Sequence, residues 1–506
     1  MLMETRERFR AYADPAQFER IVEFEDVASM WASCVNEYGD LPAVGDLGRT
    51  VSFFELDKDV RAFRGVLKAA GLEKGMRAAI LAPNSYDFIK AFLAAETYGI
   101  TLAILPPQLP KEAVFGCLMK FGAKALLYAP ELEESTVLAK EKAPQLFFIP
   151  VDAGLDSPED AVSLSGSDPA VIMFTGGTTG NSKAALLSQR ALLQGTVNGC
   201  YGLKEVFHQR YLLILPFSHV FGLVRNLMTS LYTGSTLYIC RNNKDMFRDI
   251  AVCRPTILVA VPALAEMALN LSRQFGKNML GEDMKTIICG AAAVAPYLIQ
   301  EYAKIGITVF PGYGLTESAN LVSGNPEPLK KPESVGIPFP HQEFRIEDGE
   351  LWLKGPNMMD GYVGDEAENA AAYEDGWFKT GDLVRMDEDG FLYITGRTKE
   401  IIVLSNGENV SPAEVETHYN ELPFVQDSQV FEAVEENGTH VLHLEIVPRA
   451  AELKSIPEEE RGAYMMGELS RVNTSLPGYM QVSKIIIRDS DFERTPSMKI
   501  KRYKLV

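Results

Sequence analysis

Residues 170–183 read Ala170-Val171-Ile172-Met173-Phe174-Thr175-Gly176-Gly177-Thr178-Thr179-Gly180-Asn181-Ser182-Lys183, and they carry the strongest local signal in the chain. An apolar strand, Ala170–Phe174, leads into a loop with three glycines, three threonines and a lysine. Glycines leave backbone N–H groups free to hold an anion, and the hydroxyl and ammonium groups add further donors. Taken alone, the stretch is compatible with a phosphate-binding loop and equally with an ordinary flexible Gly/Thr turn.

This loop is not a Walker loop, because the pattern G-x-x-x-x-G-K-[ST] cannot be placed on it in any register. Nor does a helix follow it, since residues 184–187 again have the pattern of a strand. The sequence therefore predicts that a turn between two strands, rather than a helix N-terminus, would hold the phosphate.

Strand and helix patterns alternate on both sides of this loop. On its N-terminal side the predicted helices are 18–37, 52–70, 85–98 and 111–121, and the predicted strands are 77–81, 101–105 and 125–128. On its C-terminal side the predicted helices are 191–200, 223–231 and 296–304, and the predicted strands are 210–215, 236–239, 257–261, 285–289 and 308–310. Strands separated by helices of about a dozen residues predict parallel βαβ units, so these two runs predict two doubly wound layers.

The C-terminal third of the chain has a different pattern. From about Ser334 short strands and Gly/Asp turns predominate, which is typical of antiparallel sheet. After Gly396 mixed helix and strand signals continue for just over 100 residues, the size of a small α+β domain. We therefore predict a boundary near Arg397–Lys399, with an N-terminal domain of residues 1–396 and a C-terminal domain of residues 397–506.

The composition is that of an ordinary globular protein of several domains. Of 506 residues, 46% are apolar and 23% are charged. Lysine and arginine number 49 against 68 aspartates and glutamates, which gives a formal net charge of −19. Such a surface repels phosphate backbones and anionic lipid, so we expect neither nucleic acid nor a membrane surface to be the main partner.

The six cysteines lie far apart in the sequence and include no C-x-x-C pair, which predicts reduced thiols buried in the core. The first eight residues carry mixed charges where a signal peptide would have an apolar core. The most apolar stretches, 211–224 and 256–269, are interrupted by Pro, Ser, His or Glu, which argues against a membrane-spanning helix. We expect a soluble cytoplasmic protein.

Four further motifs contain residue types suited to nucleotide chemistry. In Pro311–Ser318, Tyr313 offers a flat face to a base, and Thr316 and Glu317 offer oxygen atoms suited to Mg²⁺. In Gly376–Leu383, the carboxylate of Asp382 could accept hydrogen bonds from a ribose diol. The other two motifs are the charged segment Gly396–Glu400 with the following run Ser405–Glu416, and the basic stretch Thr495–Arg502. Taken singly, each has a plain structural alternative: a solvated loop carboxylate, a turn, a charged turn before a capped surface helix, or a solvated tail.

The five motifs in this order resemble the adenylate-forming superfamily, which contains the acyl-CoA and aryl-CoA synthetases, the adenylation domains of peptide synthetases and firefly luciferase. The resemblance extends over almost the whole chain, from Gly75–Ser85 to Lys499. It implies a large N-terminal domain of two αβ layered subdomains and a β-barrel-like subdomain, and a small mobile α+β C-terminal domain.

The resemblance also implies roles for individual residues in binding ATP and Mg²⁺. The ATP phosphates would be held by Thr175, Gly176, Gly177, Thr178, Thr179, Gly180 and Lys183, with Thr316 contacting phosphate and Glu317 and Thr178 holding Mg²⁺. The adenine would lie against Tyr313 and its neighbours Gly312 and Gly314, beside Gly290, Ala291 and Ala292. The ribose hydroxyls would bind Asp382 and Arg397.

The remaining implied roles concern the chemistry and the motion. Lys499 would bridge the substrate carboxylate and the α-phosphate, where a cation offsets the repulsion between two anions. Lys399 would be the hinge about which the C-terminal domain rotates between half-reactions. His219 would line the acid pocket or the path of the thiol, although a histidine after an apolar strand is otherwise more often a core residue.

Three positions depart from the pattern of the superfamily. Ser182 stands where the phosphate loop usually has Pro, and Ala184 where Gly is common. Met498 replaces the Gly that usually precedes the catalytic lysine, which narrows the backbone freedom at Lys499.

Within the superfamily, we expect an acyl-CoA synthetase that uses ATP, Mg²⁺ and coenzyme A. Residues 217–220 lack the aspartate that binds an amino-acid ammonium group, and the chain ends six residues after Ile500 with neither a carrier segment nor a Ser-Lys-Leu signal. A fatty or aromatic acid is expected, because the candidate pocket residues are apolar: Tyr201, Phe217, Val220, Phe221 and Leu223. Transfer to a separate carrier protein, nucleotide binding without catalysis, and a generic nucleotide-binding protein or kinase remain as alternatives, and a homodimer is compatible with the sequence.

Overall fold

The computed structural model of the chain describes residues 2–175, 183–404, 408–434, 439–494 and 500. One of its two large sheets has seven strands, of which five are mutually parallel and two, at one edge, are antiparallel to their neighbours. In spatial order the seven strands are Gly361–Tyr362, Ala184–Ser188, Pro169–Phe174, Thr101–Leu105, Arg77–Leu81, Ala125–Tyr128 and Phe147–Pro150.

The second large sheet has nine strands, of which the six central ones are mutually parallel. Its order is Ile337–Pro338, Ser323–Gly324, Thr308–Tyr313, Thr286–Cys289, Ile257–Ala260, Arg210–Leu213, Thr236–Ile239, Pro42–Asp46 and Arg49–Ser52.

One layer of helices lies between these two sheets. Side chains alternate between the two faces of a strand, and in Arg77–Leu81 this sends Ala78 and Ile80 into the core shared by both sheets and Ala79 and Leu81 into an outer core. Leu213 of the nine-stranded sheet points into the same shared core, and its neighbour Leu212 points away. Helices that contribute to the shared core are Val27–Tyr38, Phe53–Ala69, Tyr86–Thr97 and Gln189–Asn198.

The predicted fold class is confirmed, since two parallel layers are followed by antiparallel and α+β regions. The predicted strand–loop–strand arrangement around residues 175–183 is also confirmed, because Pro169–Phe174 and Ala184–Ser188 pair antiparallel. The predicted capping box at the start of helix Phe53–Ala69 is present as well: the Ser52 hydroxyl accepts from the Glu55 N–H at 3.2 Å.

The predicted helix 18–37 was wrong, because two helices, Pro15–Phe18 and Val27–Tyr38, replace it. Asp26 begins the second helix as its N-cap, where its carboxylate accepts the backbone N–H of Ser29 at 2.8 Å. A capping box of this kind fixes the start of a helix within an otherwise continuous apolar pattern.

Two strands near the N-terminus were not predicted. Pro42–Asp46 and Arg49–Ser52 lie in sequence before the strands of the seven-stranded sheet but belong to the nine-stranded one, where Pro42–Asp46 pairs parallel with Thr236–Ile239. A five-residue segment with a proline and a glycine has little strand character of its own, and its pairing is made by residues about 190 positions away.

After the two large sheets, residues 343–397 form a five-stranded antiparallel sheet. Its strands are Glu343–Glu347, Glu350–Lys354, Tyr373–Glu374, Trp377–Met386 and Leu392–Arg397. Helix Glu366–Ala372 lies between the second and third of these strands in the sequence. This is the antiparallel region that the Gly/Asp turns predict.

The C-terminal residues build a separate hydrophobic core. A three-stranded sheet of Val425–Val434, His440–Pro448 and Lys484–Ile487 packs with helices Pro412–Asn420 and Glu458–Ser475, and Ile402–Val403 pairs with Asn409–Val410. The buried Arg449 joins this region to the nine-stranded sheet's outer helices, because its Nε donates to Glu266 at 2.7 Å and its guanidinium lies 4.3 Å from the Tyr297 ring centroid.

Of the remaining helices, Leu2–Arg10, Phe221–Met228 and Thr229–Tyr232 also contribute residues to the shared core. The α-helices are Leu2–Arg10, Lys111–Phe121, Val137–Lys142, Thr229–Tyr232, Met246–Cys253, Pro262–Phe275 and Pro296–Lys304, and Phe221–Met228 is a π-helix. Short 3₁₀ helices are Pro130–Thr136, Asn243–Asp245, Thr316–Ser318, Thr398–Glu400, Ala450–Leu453 and Gly478–Met480. The predicted helix 223–231 therefore begins two residues earlier and with π geometry.

The six cysteines are all free thiols; five are buried, and Cys117 is partly buried, as predicted. Over the described ranges, no helix combines the length and the apolar composition that crossing a membrane requires.

The contact between helix Gln189–Asn198 and the loop after Glu317 depends on Gly195. A Cβ atom on Gly195 would lie 2.0 Å from the backbone oxygen of Ala319, so we expect Gly195→Ala to destabilise the protein by about 1–3 kcal/mol or more. The matched control is Gly116→Ala in helix Lys111–Phe121, where a Cβ meets nothing within 4 Å and alanine is expected to stabilise by about 0.5–1 kcal/mol. Calorimetric melting temperatures that move the same way in both variants would contradict this account.

Candidate active site

The phosphate-loop candidate connects two paired strands at the edge of the seven-stranded sheet. Phe174 pairs with Ala184, and the N–H of Thr175 donates to the carbonyl of Lys183 at 2.9 Å, so the two ends of the loop are closed on each other. Gly176, Gly177, Thr178, Thr179 and Gly180 lie outside the described residues, so the structure places the ends of the loop and not its centre.

Lys183 and Glu317 are brought together through Tyr362. The ammonium of Lys183 lies 4.7 Å from the centroid of the Tyr362 ring, and the Tyr362 hydroxyl donates to Oε1 of Glu317 at 2.8 Å. Burial, then the charge of Glu317 and this hydrogen bond, raise the pKa of Tyr362, so the phenol stays protonated as a donor at neutral pH. The backbone carbonyl of Glu317 also accepts the N–H of Met359 at 2.8 Å, which fixes the loop that carries this carboxylate.

Sequence analysis did not identify Tyr362 or Glu368. Tyr362 belongs to a strand of two residues, Gly361–Tyr362, which pairs with Ala184–Ser188 and has no detectable periodicity. Glu368, on helix Glu366–Ala372, forms an ion pair with Lys183 and keeps 42% of its side chain exposed. Exposed pairs of this kind are weak, so an incoming phosphate can replace Glu368 as the partner of Lys183.

Tyr313, Asp382 and Arg397 form one hydrogen-bonded network. Asp382 accepts from the Tyr313 hydroxyl at 2.6 Å and from Nε of Arg397 at 2.6 Å, and its side chain is only 6% exposed. Burial, with the charge and the hydrogen bond of Asp382, raises the pKa of Tyr313 well above its usual range. Burial alone would lower the pKa of Arg397, but Asp382 outweighs it and the pKa is raised. The network therefore consists of a neutral phenol that donates, a carboxylate that accepts and a guanidinium cation that donates.

The strands explain why these three residues meet. Asp382 and Arg397 are directly opposed on the antiparallel strands Trp377–Met386 and Leu392–Arg397. Tyr313 is the last residue of Thr308–Tyr313, an outer parallel strand of the nine-stranded sheet, so it lies where ligands bind in open α/β sheets.

Glycines allow the backbone around Tyr313 to pack closely. A Cβ on Gly314 would lie 1.4 Å from the backbone oxygen of Asn320, so no other residue fits there. A Cβ on Gly290 would lie 3.2 Å from the oxygen of Gly312, which places the Gly290-Ala291-Ala292 segment beside the tyrosine motif. Ala291 has φ +66°, a left-handed conformation that is rare for alanine and typical of constrained sites.

Two further residues that were predicted from the sequence, Thr316 and His219, lie on loops next to the Tyr313 motif and the Gly290-Ala291-Ala292 segment. Thr316 is buried and begins the 3₁₀ turn that carries Glu317. The N–H of Phe221 donates to Nδ1 of His219 at 3.2 Å, so in the neutral ring the proton is on Nε2. The Phe221 ring lies 3.5 Å from the Cβ position of Gly290, which brings the His219 loop to the same site.

Asn84 holds the His219 loop and was not given a role by sequence analysis. Its Nδ2 donates to the carbonyl of Leu215 at 2.8 Å, and its Oδ1 accepts the N–H of Phe217 at 2.9 Å. Asn84 follows the strand Arg77–Leu81, so this one side chain connects the end of the seven-stranded sheet to a loop of the nine-stranded sheet.

Of the two C-terminal lysines that were given roles from the sequence, the structure describes only one. Lys399 is exposed and lies in the 3₁₀ turn Thr398–Glu400, directly after the strand that ends at Arg397. Lys499 and Met498 lie outside the described residues.

The donor set fits a magnesium ion that is shared with a nucleotide. Mg²⁺ in such sites takes one or two carboxylates and completes its shell with phosphate oxygens and water. Glu317 supplies one carboxylate, and among the described residues no cluster of three His, Cys, Asp or Glu side chains could form an all-protein metal site.

Comparison with known proteins agrees with this geometry. The family described as AMP-binding enzyme matches residues 31–363, and the family described as AMP-binding enzyme C-terminal domain matches residues 399–506. A feruloyl-CoA synthase of Amycolatopsis sp is 29% identical over 402 residues, which cover 76% of this chain and 81% of the relative. An indoleacetate–CoA ligase of Aromatoleum aromaticum is 30% identical over 431 residues, covering 79% and 84% respectively.

Among solved structures, the o-succinylbenzoate CoA synthetase of Bacillus subtilis in complex with its acyl-adenylate intermediate superposes with a TM-score of 0.77. It is 26% identical and the match covers 95% of this chain and 98% of that one. The same enzyme has been solved with ATP and magnesium, at 27% identity. The family resemblance that the five motifs indicate is thereby confirmed, and the chain belongs to the AMP-binding enzyme family.

Proposed function

We propose that this protein activates a carboxylic acid with ATP as an acyl-adenylate, releasing pyrophosphate, and then transfers the acyl group to the thiol of coenzyme A, releasing AMP. The observation that carries the proposal is that one motif, with Tyr313 and Glu317, contacts three others. Its Glu317 is joined to Lys183 through Tyr362, and its Tyr313 is hydrogen-bonded to Asp382, which also binds Arg397. The similar proteins named above are CoA ligases, which supports coenzyme A as the acceptor.

In this proposal the Asp382 network binds the ribose. A carboxylate has about four lone-pair positions, and Tyr313 and Arg397 use two of them, so positions remain to accept both hydroxyls of a ribose diol. The Tyr313 ring would contact the adenine beside Gly290, Ala291 and Ala292, with Gly312 and Gly314 allowing the close approach.

The phosphates would bind on the other side of the site. The backbone N–H groups and hydroxyls of residues 175–180, with Lys183 and Thr316, would hold the phosphate oxygens, and Glu317 with Thr178 would hold Mg²⁺. When bound, magnesium would neutralise the negative charge that develops on the leaving pyrophosphate. His219 would line the acid pocket, and Lys499 would place its ammonium between the carboxylate and the α-phosphate.

The C-terminal domain, residues 397–506, would act as the lid, with Lys399 as its hinge. Lys399 lies in a short exposed turn between the Asp382–Arg397 pair and the separate C-terminal core, which is where a rotation disturbs the fewest contacts. The rotation would have to break the contact of Arg449 with Glu266 and Tyr297. Cytoplasmic location, a homodimer and a carrier protein as alternative acceptor remain predictions from the sequence.

The function is tested by pyrophosphate release with ATP and Mg²⁺ across short, medium, long, aromatic and dicarboxylic acids, each with and without coenzyme A. We expect release that depends on one acid class and an acyl-CoA of matching mass. Accumulation of adenylate without thioester would favour a carrier protein as the acceptor. No release with any acid would contradict the proposal.

Lys499→Ala separates the two half-reactions. Because the lysine would act only on the carboxylate and the α-phosphate, we expect acid-dependent pyrophosphate release to fall by about 10²–10³-fold or more, the typical effect of losing one such electrostatic contact. Thioester formation from synthetic acyl-adenylate and coenzyme A should stay within a few-fold of the parent enzyme. Equal loss of both half-reactions would contradict the alternation of the lid.

Tyr362→Phe tests the support of the carboxylate that is proposed to hold magnesium. The ring stays beneath Lys183, but Glu317 loses the donor at 2.8 Å, so apparent Mg²⁺ affinity or adenylation rate should fall by about 10–100-fold. Tyr302→Phe is the matched control: it removes a buried hydroxyl that donates to the carbonyl of Ala265 at 2.6 Å, in the outer core. A titration of adenylation rate against Mg²⁺ that is the same in both variants would refute this role of Tyr362.

A further inference from the structure

Arg225 is a buried guanidinium without a counter-ion among the described residues. It lies in the π-helix Phe221–Met228 and is 1% exposed. Its Nε and Nη1 have no hydrogen-bond acceptor, and no carboxylate in the described part of the chain forms an ion pair with it. A charge in the interior without a counter-ion is strongly unfavourable, so the burial of Arg225 requires an explanation.

The other deeply buried arginines differ from Arg225 in this respect. Arg64 donates from Nη1 to the hydroxyl of Thr97 at 2.8 Å and from Nε to the carbonyl of Glu159 at 2.9 Å. Arg449 is paired with Glu266 at 2.6 Å. Each of these two buried guanidinium groups therefore has acceptors that Nε and Nη1 of Arg225 lack.

The neighbours of Arg225 cannot neutralise it. A Cβ on Gly199 would lie 3.1 Å from Cδ of Arg225, and the next residue, Cys200, has its pKa raised to about 12 by burial, against the effect of the Arg225 charge. The Tyr211 phenol is a neutral hydrogen-bond partner of Arg225: burial raises its pKa, although the Arg225 charge and that hydrogen bond oppose the rise. Thiol and phenol thus both stay neutral at neutral pH.

Arg225 is also connected to the candidate active site. It follows Phe221 by four residues, about one helical turn, and Phe221 lies against Gly290 and donates its N–H to His219. The helix therefore begins at the proposed nucleotide site and runs into the core between the two sheets. π-Helices occur disproportionately at functional sites.

Two more buried amides without partners lie on adjoining segments. Both side-chain atoms of Asn226 and Nδ2 of Asn320 lack hydrogen bonds, and Asn320 has φ +101°. Asn320 follows the Tyr313–Ser318 motif, and helix Gln189–Asn198 joins its loop to the π-helix, because Gly195 contacts both Ala319 and Val224. Unsatisfied polar atoms thus occur both on the π-helix and on the loop after the Tyr313 motif, two segments that helix Gln189–Asn198 joins.

We propose that Arg225 binds a second carboxylate of the acid substrate, so that the enzyme acts on dicarboxylic acids, activating one carboxylate and burying the other against this guanidinium. This inference rests on the proposed function. It revises the expectation of a purely apolar pocket, since the apolar residues named from the sequence would surround the linker between the two carboxylates. A guanidinium binds a carboxylate through two parallel hydrogen bonds, and a neutral tail would leave the buried charge unpaired.

The inference is tested first with the unmodified enzyme. For aliphatic and aromatic dicarboxylic acids of several lengths, kcat/KM of pyrophosphate release is compared with that of the monomethyl ester and of the monoacid of equal length. We expect the best dicarboxylic acid to exceed its neutral analogues by at least about 100-fold. A monoacid or ester that is used equally well or better overturns the inference and leaves the proposed function intact, whereas no release with any acid removes both.

Variants of Arg225 then test whether this residue causes the preference for dicarboxylic acids. Arg225→Met, which removes the charge at similar length, should abolish the preference for the second carboxylate, and Arg225→Lys should keep part of it. Because the charge has no counter-ion among the described residues, Arg225→Met should not lower the melting temperature, whereas Arg64→Met, which removes a satisfied guanidinium, should lower it and leave the acid preference unchanged. A lowered melting temperature with an unchanged preference in Arg225→Met would show a structural role only; if this variant does not fold, the panel with the unmodified enzyme still decides.

Discussion

One buried carboxylate, Asp382, is the interaction on which the arrangement of the site depends. It accepts from Tyr313 at the edge of the nine-stranded sheet and from Arg397 at the end of the five-stranded sheet, both at 2.6 Å. A buried carboxylate with only one of these partners would be strongly destabilised, so the two sheets are held in a single relative position. Lys399 lies two residues beyond Arg397, so the same pair fixes the point from which the C-terminal region departs. A nucleotide that bound Asp382 would therefore contact both the edge of the nine-stranded sheet and the base of the C-terminal region.

Loops at the ends of parallel strands are held by a small number of side chains, and these cross between layers. Asn84 binds Leu215 and Phe217, and thereby fixes the loop of His219 from the opposite sheet. Tyr362 binds Glu317 and lies beneath Lys183, so one phenol positions both the carboxylate that is proposed to hold magnesium and the lysine at the end of the proposed phosphate loop. Gly195 and Gly314 permit the backbone contacts that bring these elements within reach. Uncharged residues thus hold several of the site's functional side chains and loops in position.

The sequence predicted the parts whose signal is local and missed those whose signal is not. Apolar runs such as Arg77–Leu81 and Thr101–Leu105 predict strands because both faces of a parallel sheet are buried. The motif tyrosine and aspartate were recognised by type and order, but their hydrogen bond joins residues 69 positions apart and has no local pattern. Tyr362 lies in a two-residue strand, and Asp26 begins a helix within a continuous apolar pattern, so neither could be placed by periodicity. Arg225 escaped notice because one arginine in an apolar helix usually indicates an exposed face, whereas every residue of Phe221–Met228 is buried.

The distribution of charge connects these observations. The chain has a formal net charge of −19, and the proposed reaction brings ATP and an anionic acid together, so long-range electrostatics oppose binding. Attraction must then come from cations that are free to accept a new partner at short range. Lys183 is held by a half-exposed Glu368 that a phosphate can replace, and Arg225 has no counter-ion to lose. A buried cation without a counter-ion destabilises the protein, and a ligand that supplies the missing anion removes that cost. The same feature therefore explains both how a dianionic substrate could bind an acidic protein and why a neutral analogue, which leaves the charge buried and unpaired, would be rejected.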